Sequence, residues 1–128
     1  MPVVDASALA GWLLPDEAGP DISSIFAQGQ AIAPWLLWVE LRNILVVIER
    51  KGRIEEPETD EILAAVDALG ISLDTAADSD HVMALARRHG LTAYDSTYLE
   101  LALRRREPIA SLDKALVRAA TAEGVNVV

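Results

Sequence analysis

The sequence predicts a three-layer α/β/α sandwich with a mainly parallel central sheet. Two observations predict it. Short apolar runs, Val3-Val4, Ala31 to Ala33, Ile71 to Leu73, Pro108 to Ser111 and Val125 to Val128, alternate with longer stretches of helical periodicity. Strands joined by helices in this way form a sheet covered on both faces. Hydrophobic residues make up 52% of the 128 positions, enough to bury a core and far too many for a disordered acidic chain. No Ser/Gly-rich linker, repeat or low-complexity tract divides the chain, so residues 1–128 read as a single domain.

Each element follows from local chemistry. Val3-Val4 ends at Asp5, and Ser7 is positioned to cap a helix that runs through Leu13 and stops before Pro15. A second helix starts near Ser23 and reaches Gly29, and Ala31 to Ala33 forms a strand before Pro34. Trp35 to Lys51 is a long helix, with Trp38, Leu41, Leu45 and Ile48 on one stripe and Gly52 as its stop. It is apolar nearly all round, which predicts cover on more than one side. Thr59 to Leu69 follows, with Ile62, Leu63, Val66 and Leu69 at helical spacing before Gly70. Ile71 to Leu73 is a strand ending at Asp74, and Ser79 to His89 is a helix closed by Gly90. Tyr94 or Asp95 opens a helix through Arg105, Pro108 to Ser111 is a strand, and Lys114 to Glu123 is a helix stopped by Gly124. Val125 to Val128 is the last strand.

Composition narrows the chemistry. Without cysteine there is no disulfide, no thiolate-bound zinc and no cysteine nucleophile, and two histidines leave little for a His-rich metal site. Acidic residues outnumber basic ones 20 to 11, a net charge of −9, which argues against a broad basic surface for nucleic acid. The one stretch resembling a membrane span, Ala31 to Ile48, carries Glu40 and Arg42 near its middle. Each charge there costs roughly 2.5 to 3.5 kcal/mol on insertion scales, so this is a buried helix with no membrane role. The amino-terminal residues include Asp5 and lack a cationic start followed by an apolar run, so a cytoplasmic location is expected.

In parallel sheets, ligands bind beyond the carboxyl ends of the strands. The polar residues expected there are mostly acids. Asp5 follows the first strand, Asp74 the third, and Asp113 lies two residues past Ser111. Asp95 begins a helix, and Glu40 sits in the first turns of the long apolar one. Singly, Asp95 and Asp113 read as helix caps or partners of the helix dipole, and Asp74 reads as a cap. Glu40, flanked by Leu36, Leu37 and Ile44, needs a partner; a remote cation is one answer, a shared metal another. Two unit charges about 5 Å apart repel by roughly 3 kcal/mol at an effective dielectric of 20, so four converging carboxylates require a counter-charge. Mg²⁺ or Mn²⁺, which prefer oxygen ligands, suit a set without His or Cys. The chemistry this suggests is metal-assisted phosphoester hydrolysis.

At these residues the chain resembles the PIN-domain family, and within it the VapC-like toxin ribonucleases of bacterial toxin and antitoxin pairs. The resemblance spans the chain. It rests on Val3-Val4-Asp5-Ala6-Ser7-Ala8-Leu9, Glu40-Leu41-Arg42-Asn43-Ile44-Leu45, Leu91-Thr92-Ala93-Tyr94-Asp95-Ser96-Thr97-Tyr98-Leu99 and Ala110-Ser111-Leu112-Asp113-Lys114. Ser96 stands where the family often has alanine. The resemblance implies a PIN-like fold and an Mg²⁺- or Mn²⁺-dependent endoribonuclease, with Asp5, Glu40, Asp95 and Asp113 as its acidic metal-site and catalytic residues. It places Ser7 and Ser111 as hydroxyls near metal or phosphate. It further implies hydrolysis leaving a 3′-hydroxyl and a 5′-phosphate, and two partners, a cognate antitoxin and a second copy of the chain.

RNA grip is expected from Arg105, within Arg104-Arg105-Arg106, and from Arg87-Arg88; these clusters also read as cations favourable to helix carboxyl ends. Trp12, Trp35 and Trp38 read as core, or as stacking or anchoring groups. Two rival functions compete. A phosphoryl-accepting receiver domain shares strand-end acids and a late lysine such as Lys114, but Asp5 is followed by Ala6 and Ser7 where paired acids are required. A catalytically silent binding module would keep the fold for partner contact alone.

Overall fold

The computed structural model describes residues 1–15, 17, 19–27 and 29–128. Val3–Val4 (β1) leads into Ala6–Leu13 (α1) and Ser23–Ala27 (α2), and then Ile32–Pro34 (β2), Leu36–Arg50 (α3) and Glu56–Leu69 (α4). Ser72–Asp74 (β3), Ser79–His89 (α5), Ala93–Arg105 (α6), Ile109–Ala110 (β4) and Lys114–Ala122 (α7) complete the order. The strands form one parallel sheet in the order β3-β2-β1-β4. Val3 pairs with Ile32 on one side and Ile109 on the other, so the two-residue β1 is the centre of the sheet.

The crossovers give three layers. α1 packs on α3 and α3 on α4, whereas α5 packs on α6 and α6 on α7. Successive right-handed connections from β1 to β2 to β3 put their helices on one face. The connection from β3 back past β2 and β1 to β4 puts α5 and α6 on the other. One core cluster centres on the sheet, with Val3, Val4, Ile32, Ile109, Leu85, Tyr98, Leu99 and Leu116 buried. A smaller cluster joins α1, α3 and α4 through Leu14, Leu41, Leu45 and Ile48. β1 has neighbours reached in opposite directions, so a crevice opens at the carboxyl ends of β1 and β4, the usual ligand position of such sheets.

Several boundaries differ from expectation for identifiable reasons. Asp5, rather than Ser7, caps α1: its carboxylate accepts the Ala8 N–H at 2.9 Å. α4 begins one turn earlier than Thr59, because the Glu58 carboxylate reaches back to the Glu55 N–H and Pro57 suits the first turn. α6 begins at Ala93, with the Thr92 hydroxyl accepting the Asp95 N–H. The expected last strand reduces to one bridge between Ile109 and Val127. The reach of α2 to Gly29 crosses residue 28, which lies outside the described residues.

The buried stripe of α3 is Leu37, Leu41, Leu45 and Ile48. Trp38 is instead 47% exposed and Trp35 54% exposed, the two rings stacking at 6.3 Å, with the Arg42 guanidinium 3.9 Å from the Trp38 ring centre. Val39, Val46 and Val47 are exposed beside them, so one flank of the helix presents the apolar surface its composition predicted. Trp12 stacks on Phe26 and is partly buried against the core. Among the described residues, no helix is long and apolar enough to cross a membrane.

Candidate active site

Asp5 ends β1 at the crevice and is only 4% exposed. A carboxylate so buried requires donors, and three are supplied. Ser7 Oγ donates to Asp5 Oδ1 at 2.7 Å, the Ala8 N–H to the same oxygen, and Ser111 Oγ to Asp5 Oδ2. The two serines are themselves held: Ser7 Oγ accepts the Leu112 N–H at 2.9 Å, and Ser111 Oγ accepts the Asp113 N–H at 3.0 Å. Ser7 and Ser111, 104 positions apart, therefore share one carboxylate, and the segment after β4 is fastened to the end of β1. Ser7 and Ser111, expected near metal or phosphate, direct their protons at Asp5.

Glu40 lies one turn into α3, half-buried, and its partner is neither an arginine nor a lysine. Tyr98, buried in α6, donates its hydroxyl to Glu40 Oε1 at 2.7 Å. Sequence reasoning missed this contact, although Tyr98 stands three residues after Asp95 and thus near it on the α6 surface. Asp113 caps α7, its Oδ1 accepting the Leu116 N–H at 2.9 Å. The cap reading of Asp113 is therefore correct and compatible with its place at the crevice. Asp95 is not a cap, since Thr92 takes that position in α6.

The four carboxylates feel one another. Burial lifts Asp5 above the usual carboxylate range and the Asp113 charge adds to it, against the pull of the Ser111, Ala8 and Ser7 hydrogen bonds. Burial also raises Glu40, opposed by the Tyr98 hydroxyl and reinforced by the charges of Asp95 and Asp5. Asp95 is raised by burial and then by Asp113 and Asp5. Burial and like charge thus work together to disfavour the ionised forms of these carboxyls. As placed, no three His, Cys, Asp or Glu side chains among the described residues form a ready ion cage. The available donors, carboxylates with serine hydroxyls behind them, suit a hard cation that keeps part of its water.

The other expected groups lie elsewhere. Arg105 is in the last turn of α6, about 15 Å along the helix axis from Asp95 at 1.5 Å per residue, so it is not part of this cluster. Arg104 is committed to Asp74 at 2.6 Å and to Glu100 at 2.7 Å. Asp74, expected to cap, accepts the Ala76 N–H and binds Arg104, whose hydrogen bonds hold it below the usual carboxylate range. Arg88 pairs with Glu123 at 2.7 Å.

Comparisons with known proteins agree with this architecture. The family model described as PIN domain matches residues 3–122. Ribonuclease VapC3 of Pyrobaculum aerophilum is 30% identical over 118 residues, covering 89% of this chain and 90% of that protein. The crystal structure of PAE2754, also from Pyrobaculum aerophilum, superposes with a TM-score of 0.71 at 21% identity, over 98% of this chain and 81% of the other, and so shares the fold. The chain belongs to the PIN-domain family.

Proposed function

We propose that the protein is a divalent-cation-dependent endoribonuclease, the toxin of a VapBC-type pair, acting through Asp5, Glu40, Asp95 and Asp113. The observation that carries this reading is the electrostatic coupling of four carboxylates at the crevice beyond β1 and β4 in a chain of the PIN-domain family. The named relative, a VapC ribonuclease, supports RNA as substrate and an antitoxin as partner. A cytoplasmic location goes with both.

Mg²⁺ or Mn²⁺, when bound, neutralises the carboxylates and supplies Lewis acidity toward a phosphodiester. Asp5, Glu40 and Asp95 would hold the ion directly or through water. Asp113 would help to hold a second ion or orient the attacking water. Ser7 and Ser111 keep both Asp5 oxygens in place, and Tyr98 does the same for Glu40. Attack of water at phosphorus with departure of the 3′-oxygen leaves a 3′-hydroxyl and a 5′-phosphate. The exposed apolar flank of α3 supports a partner surface for the antitoxin or a second copy of the chain.

The test is cleavage of total RNA with Mg²⁺, with EDTA, and by Asp5→Asn and Asp95→Asn. New 5′-phosphate ends are expected only from the wild type with metal. Equal activity in all four arms would refute the proposal, and absence of Mn²⁺ binding by calorimetry, with RNA absent or present, would leave a binding module. Light scattering at micromolar concentration tests the homodimer, which a monomer would exclude.

A further inference from the structure

The eleven cations of the chain are not placed alike. Arg53, Arg88 and Arg104 pair with Glu17, Glu123 and Asp74, and Arg42 lies over the Trp38 ring and donates to the Trp38 carbonyl. Arg50 and Lys51 close α3, Arg87 closes α5, and Arg105 and Arg106 close α6, all at helix carboxyl ends, where a cation complements the dipole. Lys114 and Arg118 remain. Lys114 opens α7 directly after Asp113, and Arg118 follows about one turn later. We infer that these two side chains form a subsite for the phosphate backbone of RNA, holding the phosphates beside the scissile one along the exposed face of α7. The inference rests on the ribonuclease reading above and adds to it the place where the strand is gripped.

α7 itself does not account for the pair. Leu116, Ala119 and Ala120 bury one side of the helix, and Lys114 and Arg118 are exposed on the other, with no ion pair among the described residues. No carboxylate stands three or four residues from either one, and Glu123, at the end of α7, is engaged by Arg88 and His89. Neither placement serves the helix. A cation in the first turn opposes the dipole, and like charges at i and i+4 repel. An anion bound on this face relieves both.

The position suits a polyanion that enters the crevice. Cα–Cβ bonds in a helix tilt toward its amino end, so both stems lean back toward Asp113, whose charge is felt by Asp5 and Asp95. Four residues at 1.5 Å each put the two cations about 6 Å apart along the axis, close to the step between successive phosphates of one strand. A phosphate seated at the carboxylates thus has its neighbours beside Lys114 and Arg118. With a net charge of −9 the chain has little general attraction for nucleic acid, and two unengaged cations at the edge of the crevice supply it locally.

The experiment measures steady-state cleavage of a randomised single-stranded RNA at fixed Mg²⁺ and several KCl concentrations. Wild type, Lys114→Gln, Arg118→Gln, the double variant, Arg105→Gln and Arg50→Gln are compared. Losing one phosphate contact is expected to flatten the plot of log(kcat/KM) against log[salt] by about 0.7 and to raise KM about 5-fold at about 0.1 M salt. The double variant is expected to show about 1.4 and about 25-fold, with the loss falling on KM rather than kcat. Mn²⁺ binding without RNA should not weaken, Tm should not fall, and Arg50→Gln should match the wild type. An unchanged slope and KM in the double variant, or an equal change in Arg50→Gln, would overturn the subsite while leaving the ribonuclease reading intact. A loss in Arg105→Gln with none in the double variant would return the grip to α6, and a lowered Tm with an unaltered slope would assign the pair to the fold; either overturns the proposal. No cleavage by the wild type at any salt concentration would refute the underlying activity and the subsite with it.

Discussion

Ser111→Ala removes a single oxygen and isolates the structural basis of the Asp5 position. Ser111 Oγ donates to Asp5 Oδ2 and accepts the Asp113 N–H, so the change deprives a buried carboxylate of one donor and an amide of its acceptor. A hydrogen bond to a charged group contributes about 1.5 to 3 kcal/mol. The amide, part-buried near the surface, adds a few tenths, which gives a loss of about 2 to 3 kcal/mol. For a domain of this length that lowers Tm by about 6 to 15 °C. The loss has a direction in pH. The Ser111 proton favours ionised Asp5 and so opposes the rise that burial imposes on this carboxyl; removing it raises the folded value further. The deficit is full where Asp5 is ionised in both proteins, and it shrinks as pH falls through the raised range and the carboxyl is protonated. The assay is thermal denaturation in EDTA at pH 8.5 and pH 4.5. An unchanged Tm at pH 8.5, or an equal loss at both values, would refute the claim that Ser111 acts through the charge on Asp5.

Other perturbations probe the remaining contacts. Tyr98→Phe, which leaves the buried ring and removes the donor to Glu40, is expected to weaken Mn²⁺ binding about 10-fold by calorimetry, as loss of a supporting hydrogen bond behind a ligand does. Asp95→Asn removes a carboxylate that is itself raised and whose charge helps to raise Glu40, and is expected to stabilise the metal-free protein, on the order of 1 kcal/mol at pH 7.5, while abolishing RNA cleavage. Because a raised carboxyl favours the folded state below its unfolded value and loses that advantage as pH rises, the gain should fade on acidification; chemical denaturation at pH 7.5 and 4.5 reads both. Arg104→Met leaves Glu100, 1% exposed, without its cation and is expected to cost about 3 to 5 kcal/mol in urea unfolding, with Glu100→Gln in the same chain recovering part of it.

The strands at Val3-Val4 and Ile109-Ala110 were legible because a wholly buried parallel strand must be apolar throughout. The region after Gly124 carries the same type of run, yet only Val127 finds a ladder partner, since pairing depends on a neighbour that local composition does not encode. Trp38 was misplaced because Leu37 and Trp38 are equally apolar and differ by 100° around the helix; only the position of the sheet decides which one is buried. Asp5, Glu40, Asp95 and Asp113 could be singled out because parallel crossovers bring strand ends and the following helix starts to one edge. Of the groups that hold them, Ser7 and Ser111 came from the family resemblance, whereas Tyr98 carried no signal. Tyr98 in an apolar pattern reads as core, and its hydroxyl meets a carboxylate 58 residues away. Arg105 lies at the far end of α6 from the acids, a separation that helix length sets and a charge run does not reveal.

The central position of β1 makes the site depend on contacts that are distant in sequence. Val3-Val4 is separated by more than a hundred residues from its hydrogen-bonded neighbour Ile109-Ala110 and from the Ser111 and Asp113 groups that complete the Asp5 environment. Contacts across that sequence distance carry a high loop-closure cost and slow folding. A nascent or partly folded chain therefore carries Asp5, Glu40 and Asp95 without the segment that joins Asp113 to them. The candidate site is complete only when residues 109–113 are docked beside β1.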